Sequence, residues 1–388
     1  MVRYAVLSSY PPRHCGLATF AADLIEATGP ADVVAAEPAG EALPYGPEVV
    51  ARIRRDVASD YRWGAQAVEA RRAPVVSLQH EYGIYGGQDG SHVLAFMDAA
   101  TTPVVATLHT ILRDPSPPQR AVLGRVIDLS ARVVVMSDMA RRLLVERFHV
   151  QPEVIDVIPH GVPDMPWVRT QAAKAKLGLA GREVILSFGL LGPGKGYEAV
   201  IEAMREVARR HPQALFVIVG ATHPDLLRQD GEAYRERLLE QRRALGLDAH
   251  VTLVDRYLGR AELQTWLHAA DIFVTPYPGL QQIASGTLAY AMGAGKPVVS
   301  TPYAHARELL ADGHGILVEP GSPAGLADAF GWLLDDPERR ERMARRAYTR
   351  GRGMTWPVVG RAYRALLERH AMDRPARSMV PVRAAIHA

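Results

Sequence analysis

The 388-residue chain has one cysteine, Cys15, and that single thiol excludes an internal disulfide framework and a cysteine-rich zinc site. Lysine is nearly as scarce: Lys174, Lys176, Lys195 and Lys296 are the only four among 45 basic residues. No apolar run approaches the roughly 18 residues needed to span a bilayer. The short apolar stretch Tyr4–Leu7 runs into Tyr10-Pro11-Pro12-Arg13, which reads as a buried strand and a turn and not as a signal peptide. A soluble cytoplasmic protein is therefore expected. Neither G-x-G-x-x-G nor G-x4-G-K-[ST] occurs, so the dinucleotide and Walker fingerprints are absent.

Hydrophobic residues at 48% and charged residues at 22% rule out a collagen-like or wholly disordered chain. The net charge of +3 is unevenly spread. Residues 1–165 carry 15 arginines against 19 acids, a net of −4, which leaves +7 in the remainder. That bias suits an anionic ligand in the second half and is too weak for nucleic acid, for which no basic, aromatic-rich stripe exists either. The Arg339–Arg346 stretch reads as a solvated helix face with, at most, a peripheral membrane contact.

Short β-branched runs recur between helical patterns. They are Tyr4–Leu7, Asp32–Ala35, Val75–Leu78, Val104–Leu108, Val133–Met136 and Val154–Ile158 in the first half. Val184–Phe188, Leu215–Val219, Val251–Val254, Ile272–Thr275, Val298–Ser300 and Ile316–Val318 follow in the second. Continuous apolar strands alternating with helices predict parallel sheets covered on both faces. Two such series predict an α/β protein of two Rossmann-like doubly wound domains, residues 1–165 and 183–354. Residues 166–182 have linker composition. An amphipathic helix is expected over 355–371, with Val359, Tyr363, Leu366 and Leu367 on one side, and a loose tail over 372–388.

Open α/β sheets bind ligands beyond the carboxyl ends of their strands, so the segments after each strand hold the candidates. After the first strand, Arg13 and His14 precede Gly16, a glycine at a helix mouth where backbone N–H groups can meet a phosphate; an ordinary βα turn explains it equally well. Gln79-His80-Glu81-Tyr82-Gly83 forms a polar, glycine-bearing loop suited to a sugar-like ligand, although His80 or Glu81 alone is more often structural. His109 ends another strand. Ser137 is fully explained as a helix N-cap. In the second half, Gly189-Leu190-Leu191-Gly192-Pro193-Gly194-Lys195-Gly196 places the only glycine-loop lysine before a helix. A cation there opposes the helix dipole by a few tenths of a kcal/mol, and a bound anion would remove the conflict. Ser285-Gly286-Thr287 opens a later helix with bare amides and two hydroxyls that suit a diphosphate, or simply cap the turn. Lys296 reads as a surface residue. No His/Asp cluster has metal-ligand spacing, so no metal and no cofactor are expected.

In order and spacing these segments resemble a retaining GT-B fold glycosyltransferase of family 4 (glycosyl transferases group 1). The carriers are Ser9-Tyr10-Pro11-Pro12 with Gly16, Leu108-His109-Thr110, Ile158-Pro159-His160-Gly161-Val162 and the Lys195 loop. Val217-Ile218-Val219-Gly220, Ala269–Pro276, Ala291–Val299 and Gly315–Val318 complete them. The resemblance covers nearly the whole chain. It implies an inter-domain cleft, with acceptor held mainly by the first domain and donor by the second, and a final helix returning to the first. It assigns His109 to the transferred sugar, Gly16 to the donor phosphates and Lys195 to the leaving diphosphate. Arg13, His80, Glu81, Tyr82 and His160 fall on the acceptor and sugar side. Two departures stand out. Leu190 occupies the place of an arginine, and Gln282 and Tyr290 occupy the places of the family's two glutamates, the second of which usually holds the donor ribose. Gln282 can still bond a sugar hydroxyl, and Tyr290 can stack or donate one bond.

The expected reaction is transfer of a hexose, of mannose or glucose type, from a nucleotide sugar such as GDP-mannose or UDP-glucose to a carbohydrate or other hydroxyl acceptor with retention. Two alternatives remain open: a disaccharide phosphorylase of the same fold, and a non-catalytic sugar-nucleotide binding protein. Oligomeric state, base and acceptor stay open.

Overall fold

The computed structural model describes residues 3–38 and 40–372; the tail expected over 372–388 lies, from residue 373 on, outside the described residues. Every pairing in its two sheets is parallel. The first sheet holds β1 (Tyr4–Ser8), β2 (Ala31–Glu37), β3 (Val49–Arg54), β4 (Val76–His80), β5 (Val104–Leu108), β6 (Arg132–Val135) and β7 (Ile155–Val157), in the order β3-β2-β1-β4-β5-β6-β7. The second holds β8 (Glu183–Phe188), β9 (Ala214–Val219), β10 (Val251–Val254), β11 (Ile272–Thr275), β12 (Val298–Ser300) and β13 (Gly315–Leu317), in the order β10-β9-β8-β11-β12-β13. Both orders reverse direction beside the first strand of their sheet, where a crevice opens between diverging loops.

The central strands are buried along their whole length because helices cover both faces. β3 escaped the sequence reading. It is a sheet edge with alternating burial, and its arginines Arg52 and Arg54 dilute the apolar run. The stretch read as a linker is partly helical. Thr170–Lys176 packs on the helix Arg260–Ala269, and Lys174 Nζ donates to Asp271 Oδ2 at 2.6 Å, with both side chains almost fully buried. The lysine that gave this stretch a polar look is thus an internal ion-pair partner. Lys296 likewise corrects its surface reading. It is 5% exposed and donates to the His268 and Ala270 carbonyls at 3.1 Å each, satisfying the end of the helix Arg260–Ala269. Burial lowers its pKa to about 8.

The chain ends its described part in the helix Trp356–Met372, which lies against the helix Gly16–Thr28 of the first lobe. Val359, Tyr363, Leu366 and Leu367 are buried there. Arg364 donates to the Thr28 and Ala27 carbonyls at 3.0 Å, and Gly360 admits Ala27 where a Cβ would approach to 2.6 Å. The return helix and the first lobe share one core, which also takes in Trp356 and Phe20. No helix among the described residues is long and apolar enough to cross a membrane. The Arg339–Arg346 face is laced by Arg339–Asp336, Arg342–Glu338 and Arg345–Glu341 pairs on an exposed helix.

Removing one member of a buried ion pair leaves the other charge unpaired, at a cost of about 3–5 kcal/mol. Asp271→Ala should lose that much in urea unfolding, and adding Lys174→Met should recover most of it; an additive second loss would contradict the pairing.

Candidate active site

Parallel pairing gathers the loops of each sheet at one end, and the two ends approach each other: His14 stacks on Tyr257, and Arg13 and Lys195 both lie near His223. On the first lobe, Gly16 opens a helix with nothing within 4 Å of its Cβ position. One turn on, the Phe20 ring lies between two imidazoles, 4.9 Å from His109 and 5.1 Å from His160, edge-on to both. His109 shares a 2.9 Å hydrogen bond with Gln79 Oε1, and Gln79 Nε2 in turn donates to Ser77 Oγ at 3.0 Å. That order makes His109 Nε2 the donor and leaves Nδ1 as an acceptor with no hydrogen-bond partner among the described residues. His160 Nδ1 donates to the Gly161 carbonyl at 2.8 Å, which leaves its Nε2 as acceptor, 3.0 Å from where a Gly286 Cβ would stand.

On the second lobe the Lys195 loop is shaped by close backbone approach. Gly196 has φ +70°, and a Cβ there would sit 2.2 Å from the Pro276 carbonyl oxygen. A Cβ on Gly220 would meet the Gly189 carbonyl oxygen at 1.9 Å, so only glycine lets the loops after β8 and β9 touch. Lys195 Nζ stands 4.8 Å from the centre of the Tyr277 ring, and no carboxylate pairs with it among the described residues. The Tyr277 hydroxyl is 2.8 Å from Thr287 Oγ1, which lies 3.2 Å from Ser285 Oγ. Ser285 Oγ accepts from Leu288 N and caps the helix Gly286–Gly293, while Ser285 N donates to His305 Nδ1 at 2.9 Å. Lys195, Tyr277 and the Ser285–Thr287 tip therefore form one chain of contacts, in which Tyr277 and Ser285 are buried and Lys195, Gly286 and Thr287 are partly exposed. Lys195 and Arg13, from opposite lobes, both lie close enough to His223 to lower its pKa, after burial, which is the largest cause.

Burial keeps the surrounding imidazoles uncharged: it lowers the pKa of His109 and His305 to about 3, and of His80 and His160 to about 4. Near His223 the positive charge comes from Lys195, Arg13 and Arg228, the last of which is paired with Glu41 and Asp225.

Several expected residues are engaged within the protein or buried. His80 is fully buried with both ring nitrogens unpartnered, so it lines no ligand surface; the strand end that looked open is covered by the Tyr82 ring. Glu81 accepts from Tyr82 N and Thr110 Oγ1 and so organises its own loop, with its pKa raised by burial. Tyr82 reaches the Gln119 carbonyl at 3.4 Å. Gln282 is exposed and donates to the Ala284 carbonyl at 2.9 Å. Tyr290 is 9% exposed and donates its phenol to Asp23 Oδ2 at 3.1 Å, so it offers no free hydroxyl to a donor sugar. Phe20, Asp23, Gln79, Tyr277 and His305 were not singled out from the sequence. For Asp23 a signal exists: a carboxylate sits on the apolar side of a helix, next to Phe20 and Leu24.

Further contacts bridge the lobes. His14 stacks on Tyr257 at 4.4 Å, Thr19 meets the Tyr257 hydroxyl at 3.0 Å, and Arg260 pairs with Asp23 and Glu26. On the other flank, Glu308 accepts from Asp138 N and Met139 N at 2.9 and 2.7 Å, the first amides of a helix in the first lobe.

Two facing Rossmann-like lobes with a returning terminal helix constitute the GT-B architecture. Residues 16–164 match the model of Glycosyltransferase Family 4, and residues 169–350 match that of Glycosyl transferases group 1. The chain belongs to this family of glycosyltransferases. Among curated relatives, a D-inositol 3-phosphate glycosyltransferase of Kineococcus radiotolerans is 29% identical over 81% of this chain and 76% of its own. One of Nocardia farcinica is 31% identical over 74% and 65%. Among solved structures, Anabaena HepE in complex with UDP superposes with a TM-score of 0.75 over 94% of this chain and 100% of its own, at 18% identity.

The neutral histidines make stability pH-dependent. Unfolded imidazoles bind protons below about pH 6.5, while the folded ones do not until about pH 3–4, so acidification favours the unfolded chain. Unfolding at pH 5 should take up about four protons from these four groups. Urea melts from pH 7.5 to 4.5 should show stability falling throughout; a flat or rising profile would show that the imidazoles are charged when folded.

Proposed function

We propose that the protein transfers a hexosyl group, of glucose or mannose type, from a nucleoside-diphosphate sugar to a hydroxyl acceptor, with retention at the anomeric carbon. The observation that carries this is the chain of contacts from Lys195 through Tyr277 to the Ser285–Thr287 helix tip, on the side where His160 approaches Gly286. A diphosphate lodged there would meet an unpaired ammonium, the Gly286 and Thr287 amides and, across the gap, the Gly16 helix mouth. The sugar beyond it would stand near His109 Nδ1 and His160 Nε2, two acceptors for sugar hydroxyls.

In this reading no side-chain carboxylate attacks the sugar. Two acids of the first lobe are engaged elsewhere: Glu81 with its loop and Asp23 with Arg260, Tyr290 and Trp356. The leaving phosphate oxygen takes the acceptor's proton on the same face as departure, and the protein supplies position and charge stabilisation. Neutral histidines serve this well, because a cation beside the anomeric carbon would oppose the positive charge that develops there. The reading assigns no metal. The curated relatives' names support transfer to a polyol phosphate acceptor, and Arg13, which no acid pairs among the described residues, is the first-lobe cation placed to meet such a group.

A second reading, a phosphorylase of the same fold, draws on Tyr290: its phenol is spent on Asp23, and the helix Gly286–Gly293 carries no carboxylate for a ribose.

The test is turnover of UDP-glucose and GDP-mannose with inositol phosphate and simple sugar acceptors, beside phosphate-dependent cleavage of disaccharides. Nucleotide release with an α-linked product is expected. Phosphorolysis alone would favour the second reading, and binding without turnover across the panel would make the protein a binding module. Lys195→Ala should lower turnover by roughly 10²–10³-fold, and unchanged turnover would remove Lys195 from its role.

A further inference from the structure

Asp23 is 3% exposed and lies where four helices meet. It sits on the helix Gly16–Thr28, two turns after Gly16. Oδ1 accepts from Arg260, on the helix Arg260–Ala269 of the second lobe. Oδ2 accepts from the Tyr290 hydroxyl and from Trp356 Nε1, each at 3.1 Å. Tyr290 lies one turn after Gly286, and Trp356 begins the returning helix. Burial raises the Asp23 pKa and the three donors oppose that rise.

The helices carrying the two amide-lined tips of the cleft, Gly16 from one lobe and Gly286 from the other, are thus joined through one carboxylate. We propose that Asp23 is a positioning residue that fixes the spacing of these two tips through its bond to Tyr290, so that both bear on one diphosphate. This rests on the reading of the cleft as a donor-phosphate site. No substrate atom reaches Asp23 itself, because it is sealed beneath Tyr290, Trp356 and Phe20. A tyrosine at position 290 supplies a reach that no shorter residue on that helix has, while its ring packs near His160 and Phe188 at the cleft floor. Arg260 also holds Glu26 at the surface, and that outer pair lies off the path between the tips.

Positioning makes a distinct demand. Groups that act only when aligned lose turnover more than affinity when misplaced, and a misplacement of about 1 Å can cost 10²-fold. Tyr290→Phe keeps the ring and removes only the bond to Asp23; Asp23→Asn keeps the shape and removes the charge. Hydrogen exchange of the full chain is measured without substrate. Peptides containing Gly16–Phe20 and Gly286–Tyr290 should exchange at least about threefold faster in both variants, with the helix Tyr197–Arg210 unchanged. With whichever of UDP-glucose and GDP-mannose the wild type uses, kcat should fall roughly 10- to 100-fold and the donor KM should move less than about twofold. The double variant should lose no more than Asp23→Asn alone, because Asp23→Asn already weakens the bond that Tyr290→Phe removes. Glu26→Gln should match the wild type in both readouts. Equal exchange at both tips, loosening that extends to Tyr197–Arg210, or a KM effect without a kcat effect would overturn the proposal. If the wild type uses neither donor, the proposed function fails, and the exchange measurement still decides the role of Asp23.

Discussion

All strands within each sheet run one way, so each lobe delivers its loops at one end, and this constraint shapes the rest of the molecule. A parallel strand must be followed by a crossover, so each strand end delivers a loop and a helix start. Gly16, His109, Lys195, Tyr277 and the Ser285–Thr287 tip are loop or helix-start residues of this kind, drawn from distant parts of the chain. The returning helix Trp356–Met372 ties the two delivery systems into one body, and its Trp356 joins Asp23 and Phe20 beneath the gap.

Charge is distributed sparingly there. Burial keeps the imidazoles neutral, and the proximity of His160 to His109 and His305 opposes protonation further. Lys195 has an aromatic face and no acid for company. An ammonium left unpaired against a helix tip is poised to gain from an anion and loses little while waiting, because it is only half-buried. Stability and function pull in different directions here: the neutral histidines cost stability on acidification and spare the transferred sugar an adjacent cation.

The architecture was legible because both sheets are parallel and buried, which writes each central strand as an apolar run. β3 was not, since an edge strand carrying Arg52 and Arg54 lacks that signature. The Lys195 loop and the Ser285 tip were legible through glycine and capping chemistry. His80, Tyr290 and Lys296 were misplaced for one shared reason. Sequence marks a residue as polar, and only tertiary packing decides whether it faces the gap or is buried. Tyr290 turns to Asp23, some 270 residues away, and Lys296 turns to two carbonyls of a neighbouring helix. Such pairings have no local pattern. The carboxylate on the apolar side of the first helix was the one local anomaly that marked the junction.

Calorimetric titration of UDP and GDP into the wild type and Lys195→Ala addresses the donor-phosphate cleft most directly. Saturable one-to-one binding of at least one nucleoside diphosphate to the wild type, weakened about tenfold or more in the variant, is the predicted result. Absent binding, or equal affinity in the two proteins, would contradict the account.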